Sequence, residues 1–152
     1  MIKQAMWTHG HSMTIEYPNR VTSLEKKGYF MRVRGNAFSS NWFHFAIPTP
    51  VIVDGNRLSV DSVLLRFRTG GATSLKAVHV WDAERRILTD NTIENPTSGA
   101  FRMSKFPVPS SPDVRFGIGI SLKVEFGDSA GFTEEQRPLM FDVSSAGFGF
   151  MS

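Results

Sequence analysis

The 152-residue chain contains no cysteine. Disulfide frameworks, cysteine-bound zinc, iron–sulfur clusters and thiol nucleophiles are therefore excluded. The sequence also has no apolar run close to the ~20 residues that a membrane-spanning helix needs. Its first residues contain no apolar stretch of signal-peptide length before polar residues intervene. These absences favour a cytoplasmic protein, although export without a cleaved signal stays open.

A strong excess of one charge is also missing. The chain has 17 basic and 14 acidic residues, a net charge of +3, and its basic residues are dispersed. Proteins that bind nucleic acid usually concentrate positive charge on one helix or face, so the sequence argues against that function. The hydrophobic share of 41% excludes a disordered chain, and the length fits one domain over residues 1–152.

Helical periodicity is scarce, and alternation with a period of two takes its place. The clearest case runs from Val114 to Phe126, where every even position is apolar and the odd positions are small or charged. This pattern predicts a half-buried central strand. A second alternating segment, from Trp7 to Tyr17, predicts another long strand.

Turn signals divide the rest of the chain into short strands. Asp54-Gly55 separates two apolar segments and predicts a tight hairpin, because this dipeptide accepts positive φ angles. From Asp90 to Ser111 the sequence is irregular, with a short extended piece near Phe101–Phe106. We therefore predict an all-β protein of eight to nine strands with little or no helix. An antiparallel β-sandwich of jelly-roll type is favoured, and a β-barrel is the second choice.

Two histidines, His9 and His11, alternate within the predicted strand at 7–17. Strand geometry would place both imidazoles on one face, about 7 Å apart. Such a pair could hold a metal if His44, His79 or a carboxylate supplied a third ligand. The shared face also carries large apolar residues, which favours structural or interfacial histidines. We predict no cofactor.

Two short segments each combine a tryptophan and a histidine at alternating positions. In the first segment, Trp42 and His44 share one face of the strand and Phe43 lies on the other face. In the second segment, His79 and Trp81 share one face. If Phe43 points into the core, Trp42 and His44 face outward. An exposed tryptophan–histidine patch suits stacking of sugars or contact with a protein partner. The alternative is that a second layer or a neighbouring subunit covers it.

Several segments resemble an uncharacterised bacterial family of small single-domain proteins of this length. They are Asn41–Pro50, Ala77–Asp82, Arg115–Ile120 and the phenylalanine-rich C-terminal end. The resemblance covers most of the chain and implies one β-sandwich-like domain. It implies no reaction and no functional residue.

Phenylalanine is abundant, with 13 residues, and three lie close together near the C-terminus: Phe141, Phe148 and Phe150. We expect these three to contact a second copy, because small β-proteins must protect their strand edges and self-association is one way to do so. The leading hypothesis is a non-enzymatic binding or assembly module that forms a homo-oligomer. The alternatives are a small metal-dependent β-barrel enzyme with a histidine cluster, and a glycan-binding protein that uses Trp42 and Trp81. Carbohydrate and protein are the predicted classes of partner.

Overall fold

Two antiparallel sheets packed face to face make up the fold in the computed structural model, which describes residues 2–93 and 99–151. The strands in these residues are β1 (Gln4–His9), β2 (Thr14–Ile15), β3 (Val21–Lys26), β4 (Met31–Gly35), β5 (Ser39–Ile47), β6 (Ile52–Val53), β7 (Asn56–Arg57), β8 (Ser59–Thr69), β9 (Thr73–Asp82), β10 (Arg85–Asp90), β11 (Arg102–Pro107), β12 (Ile118–Phe126) and β13 (Met140–Met151). Single 3-10 turns occupy Gly10–Ser12, Pro18–Arg20 and Glu134–Gln136. No helix in this part of the chain is long and apolar enough to cross a membrane.

The first sheet has the order β11-β8-β13-β4-β3, and β1 pairs with the later half of β13. The second sheet has the order β10-β9-β12-β5-β2, and β6 and β7 form a separate hairpin. This architecture confirms the predicted all-β antiparallel sandwich. The described residues hold thirteen strands instead of eight to nine, and three of the thirteen span only two residues.

The core lies between the inner faces of the two sheets. Strand β12 contributes its even positions from Ile118 to Phe126, which are all at most 3% exposed. Phe43 and Phe45 on β5 are equally buried. Both sheets therefore bury the apolar half of an alternating pattern, as the sequence predicts.

The three C-terminal phenylalanines also belong to this core. Phe141, Phe148 and Phe150 on β13 each have an exposed fraction of 0%. Their interpretation as an oligomer contact is therefore corrected, because their rings pack inside one chain and are not available to a second copy. Self-association itself stays a prediction.

The long strand predicted at 7–17 is interrupted. Strand β1 ends at His9, a 3-10 turn follows, and β2 joins the opposite sheet. The backbone passes so close to β13 that a Cβ on Gly10 would lie 1.9 Å from the Val143 carbonyl oxygen. The face of Trp7 is also not a core face, because Trp7 is 42% exposed and Met6 points inward instead.

The predicted central strand starts later than its alternation suggests. Strand β12 begins at Ile118, and Phe116 is 74% exposed although it fits the apolar pattern. The cause is a loop at 115–117 whose three backbone N–H groups donate hydrogen bonds to the Asp82 carboxylate. A tertiary contact thus overrides the local periodicity.

The predicted hairpin is confirmed. Ile52–Val53 pairs with Asn56–Arg57, and the intervening Asp54 and Gly55 have φ angles of 50° and 76°. Two positive φ angles are the requirement of a type I′ turn. In the irregular segment, β11 occupies the expected extended piece, and residues 94–98 lie outside the described residues.

Candidate ligand-binding face

The outer face of the second sheet brings together the four predicted binding residues. Trp42 and His44 lie on β5, His79 and Trp81 lie on β9, and β12 runs between these strands. His44 is opposite Ser121 of β12, and Ser121 is opposite His79, so these three form one row across the sheet. The outward direction follows from the burial of the alternate residues, including Phe43 and Val80, in the core.

Trp42 reaches across β12 toward the far strand. The ring centroids of Trp42 and His79 are 4.9 Å apart, and their planes are inclined by 51°. The Nε2–H of His79 donates to Asn91 Oδ1 at 2.7 Å, which fixes the imidazole from its other side. The two rings therefore form an aromatic surface above the central strand, and the hydrogen bond to Asn91 fixes the position of the imidazole.

Trp81 forms a second aromatic surface on the same face. It is 37% exposed, and the Arg86 guanidinium carbon lies 5.6 Å from its ring centroid. Trp81 is opposite Gly119 of β12, which is in turn opposite Ala46 of β5. These small residues leave the sheet surface low beside the ring.

A depression of about 350 Å³ occupies this low area. Its floor includes Ala46 and Gly119, and Trp81 and His44 stand at its sides. Ser12 and Thr14 form part of its rim, because the chain between β1 and β2 crosses to this sheet. The face therefore combines a small-residue floor with aromatic and polar walls.

Three polar side chains form a hydrogen-bonded relay at the wall. His44 Nε2 is 2.9 Å from Glu16 Oε1, and His44 Nδ1 is 2.8 Å from Ser121 Oγ. A carboxylate only accepts, so Nε2 carries a proton, and the Nδ1 of a neutral ring accepts from the Ser121 hydroxyl. β12 is paired on both sides at Ser121, so its backbone amide is not free to stabilise an oxyanion. The relay suits hydrogen bonding to a ligand better than nucleophilic attack.

The relay was only partly predictable. His44 stands out in the sequence beside Trp42, but Ser121 is one of several small residues on the polar side of β12. Only the strand register, which places Ser121 opposite His44, shows that it belongs to the site.

The other two histidines lie elsewhere and do not converge with this face. His9 caps the 3-10 turn and His11 lies within it, with their ring centroids 4.1 Å apart, and His11 hydrogen-bonds the Lys27 carbonyl oxygen. Burial, together with the nearby His11, lowers the pKa of His9. Within residues 2–93 and 99–151, no three His, Asp or Glu side chains are placed to hold a metal. The hypothesis that His9 and His11 share a metal with His44 or His79 is therefore not supported by the geometry.

The fold and this face define a β-sandwich protein with an aromatic-lined outer sheet. The chain belongs to a family of unknown function (DUF6623), whose sequence profile matches residues 1–152. This membership confirms the resemblance to an uncharacterised family. No curated protein matches the sequence.

Solved structures with the same fold include carbohydrate-binding modules. The second N-terminal cellulose-binding domain of Cellulomonas fimi β-1,4-glucanase C is 12% identical, with a TM-score of 0.52, and the match covers 97% of this chain and 92% of that domain. A family 29 carbohydrate-binding module from Piromyces equi is 9% identical, with a TM-score of 0.50, over 95% of this chain and 90% of the module. A variant of the module CBM29-2 complexed with cellulohexaose is 9% identical, with a TM-score of 0.50, and the match covers 96% of this chain and 92% of that module. Identities this low show a shared fold.

Proposed function

We propose that this protein binds a carbohydrate chain on the outer face of the second sheet. The observation that carries the proposal is the placement of Trp42 and Trp81 on one outer face, with the row of His44, Ser121 and His79 between them and small residues beside Trp81. Jelly-roll-like sandwiches use such faces for ligands, and the named modules support the proposal by analogy of fold.

The chemistry of sugars matches this face. A pyranose ring has an apolar face of C–H groups that stacks on an aromatic ring, while its hydroxyls lie at the edge. Trp42 and Trp81 supply the aromatic surfaces, and both indoles have an N–H for a hydroxyl oxygen. His44 and Ser121 supply further hydrogen-bonding groups along the wall of the depression.

The spacing of the two tryptophans favours an extended ligand. Trp42 and Trp81 lie on strands separated by β12, and their partners on β12 are Lys123 and Gly119. Two strand spacings and four residues of rise put the two Cα atoms roughly 16 Å apart. The Trp42 ring leans across β12 to His79, so the aromatic rings form a diagonal row across the sheet. An oligosaccharide laid along this row can contact both tryptophans.

This function implies an encounter with polysaccharide, which for most such polymers takes place outside the cytoplasm. It thus opposes the cytoplasmic localisation that the sequence favours. The export route left open by the sequence is the one that the proposal requires.

Affinity electrophoresis against a panel of soluble polysaccharides, followed by calorimetry on the best ligand, tests the proposal. We expect Trp42→Ala and Trp81→Ala each to weaken binding by at least about tenfold, because an aromatic anchor at the centre of an interface commonly contributes 2 kcal/mol or more. Thermal unfolding should be little changed, since both rings lie on the surface of the sheet.

Trp7→Ala is the matched control. Trp7 is also exposed, but it lies on β1 in the opposite sheet, so its replacement should leave binding unchanged. If no polysaccharide in the panel is retarded, or if all three tryptophan variants behave alike, carbohydrate binding on this face is refuted.

A further inference from the structure

Four arginines cluster at the end of the second sheet next to Trp81. They are Arg57 on β7, Arg85 and Arg86 on β10, and Arg115 in the loop before β12, and all four are exposed. We call these residues the arginine cluster. Arg86 is opposite Trp81 in the sheet register and its guanidinium lies over the Trp81 ring, so Arg86 links this end of the sheet to the proposed sugar-binding face.

Hydrogen bonds hold three of the four arginines around one short segment of chain. Arg57 Nη1 donates to the Val114 carbonyl oxygen at 2.8 Å, and Arg85 Nη2 donates to the Asp113 carbonyl oxygen at 3.2 Å. The backbone N–H of Arg115 donates to Asp82 at 2.8 Å, which anchors the next residue of the same segment. The arginines are thus brought together from three places in the sequence.

The positive charge of the cluster is only partly compensated. Asp82 is 1% exposed and already accepts three backbone hydrogen bonds and a contact from Arg85 at 3.4 Å. Asp113 accepts from the Ser59 hydroxyl, and Glu84 lies in the β9–β10 turn. In the part of the chain that the structure describes, Arg57, Arg86 and Arg115 form no ion pair.

A second depression, of about 400 Å³, lies within the cluster. It is lined by Arg57, Asp113, Arg115 and Phe116. The exposed Phe116 ring adds an apolar surface beside the guanidinium groups. The site therefore offers unpaired arginines and an aromatic ring at the end of an aromatic-lined face.

We infer that the ligand is an acidic polysaccharide, whose carboxylate or sulfate groups bind the arginine cluster while its sugar rings stack on Trp81 and Trp42. The inference rests on the carbohydrate-binding function proposed above and adds the charge of the ligand. Guanidinium groups bind carboxylates and sulfates through paired, charge-assisted hydrogen bonds. Unpaired arginines beside a stacking surface thus select for a sugar chain that carries negative charge.

Affinity electrophoresis with charged and neutral polymers tests the inference. The acidic set is polygalacturonate, alginate, glucuronan and dextran sulfate, and the neutral set is hydroxyethylcellulose, galactomannan and dextran. We expect at least one acidic polymer to bind about tenfold more tightly than every neutral one, because hydrogen bonds between charged groups are stronger than neutral ones. The preference should decrease in 0.5 M NaCl, where charge interactions are screened within about 4 Å. Dextran sulfate and the polyuronates distinguish sulfate from carboxylate as the recognised group.

Two charge-removing variants separate the arginines from the tryptophans. Arg86→Gln and Arg115→Gln should each weaken binding of the acidic polymer several-fold. Arg115→Gln should leave any residual neutral binding unchanged, because Arg115 lines the depression in the arginine cluster and not the depression beside Trp81. Arg66→Gln is the matched control, since this substitution removes the same charge from an arginine that is exposed on β8 of the first sheet. It should not change the affinity.

The outcomes distinguish this inference from the function on which it rests. If a neutral polymer binds best and only the tryptophan variants weaken it, the charge inference is overturned and carbohydrate binding stands. If no polymer binds, both fail. If dextran sulfate binds and Trp81→Ala has no effect, the cluster is a general polyanion surface, and the inference is likewise overturned.

Discussion

At the residue scale, Asp82 has a structural role beside the proposed site. Its carboxylate is almost fully buried at the end of β9 and holds the loop that carries Arg115 and Phe116. Burial opposes its charged form, but hydrogen bonds from three backbone N–H groups and the nearby Arg85 outweigh burial and lower the pKa of Asp82. The charged carboxylate therefore stabilises the native loop.

Asp82→Asn should lower the free energy of unfolding at neutral pH by about 2–3 kcal/mol, because hydrogen bonds to a charged acceptor are replaced by an amide that also donates. Urea unfolding measures the difference. Asp54→Asn, in the exposed β6–β7 turn, is the control and should be nearly neutral.

The same pair of proteins tests the pH dependence. A lowered pKa means that the folded state releases its proton more easily than the unfolded state, so the stabilisation is complete above the ordinary carboxyl pKa of 3.8. It should decrease as the pH falls below that value. The difference between wild type and Asp82→Asn should shrink in that acidic range, and a constant difference would contradict the assignment.

At the element scale, the crossing from β1 to β2 determines what lies at the rim of the site. The chain leaves one sheet after His9, turns once, and reaches β5 of the other sheet at Thr14. This crossing brings Ser12 to the depression and Glu16 to His44. Gly10 makes it possible, because the backbone passes directly against β13.

Gly10→Ala should destabilise the fold by about 3 kcal/mol, since the new Cβ would overlap the Val143 carbonyl and the clashing atom is backbone. Thermal unfolding measures the loss. Gly28→Ala is the control, because nothing lies within 4 Å of its added Cβ. Equal midpoints for the two variants would show that the crossing adjusts without cost.

At the scale of the whole molecule, the core and the binding face are two sides of one sheet. Alternation on β5 sends Phe43 inward and Trp42 outward, and pairing with β12 and β9 repeats this arrangement across the sheet. The core therefore holds the side chains of the proposed binding face in position without contributing to that face. The buried C-terminal phenylalanines belong to this supporting layer.

Phe148→Ser should lower the free energy of unfolding by about 3–5 kcal/mol, the range for removal of a buried aromatic ring. Below its unfolding temperature the mass in solution should equal that of wild type, whatever the oligomeric state is. Phe38→Ser is the matched control, since Phe38 is 79% exposed and its loss should cost little. If Phe148→Ser lowers the mass and leaves the stability unchanged, the residue is a subunit contact after all. Phe148→Leu extends the comparison if the serine variant does not fold.

Much of the fold could be predicted because it rests on local patterns. Alternation identifies most strands and places Trp42 with His44, and His79 with Trp81, on shared faces, and Asp54-Gly55 identifies a hairpin. Which of these faces is buried required the structure. The errors occur where a distant contact decides the local structure. Residues 115–117 leave the strand to bind Asp82, and residues 10–12 turn because the chain changes sheets.

The sequence by itself determined the fold class and which side of most strands is apolar, because these depend on the order of neighbouring side chains. Only the tertiary structure decided that β12 separates β5 from β9, that Ser121 lies between His44 and His79, and that the arginine cluster adjoins Trp81. The physical reason is that strand order and register depend on the packing of segments far apart in the chain. A period of two describes each strand and contains no information about its neighbours.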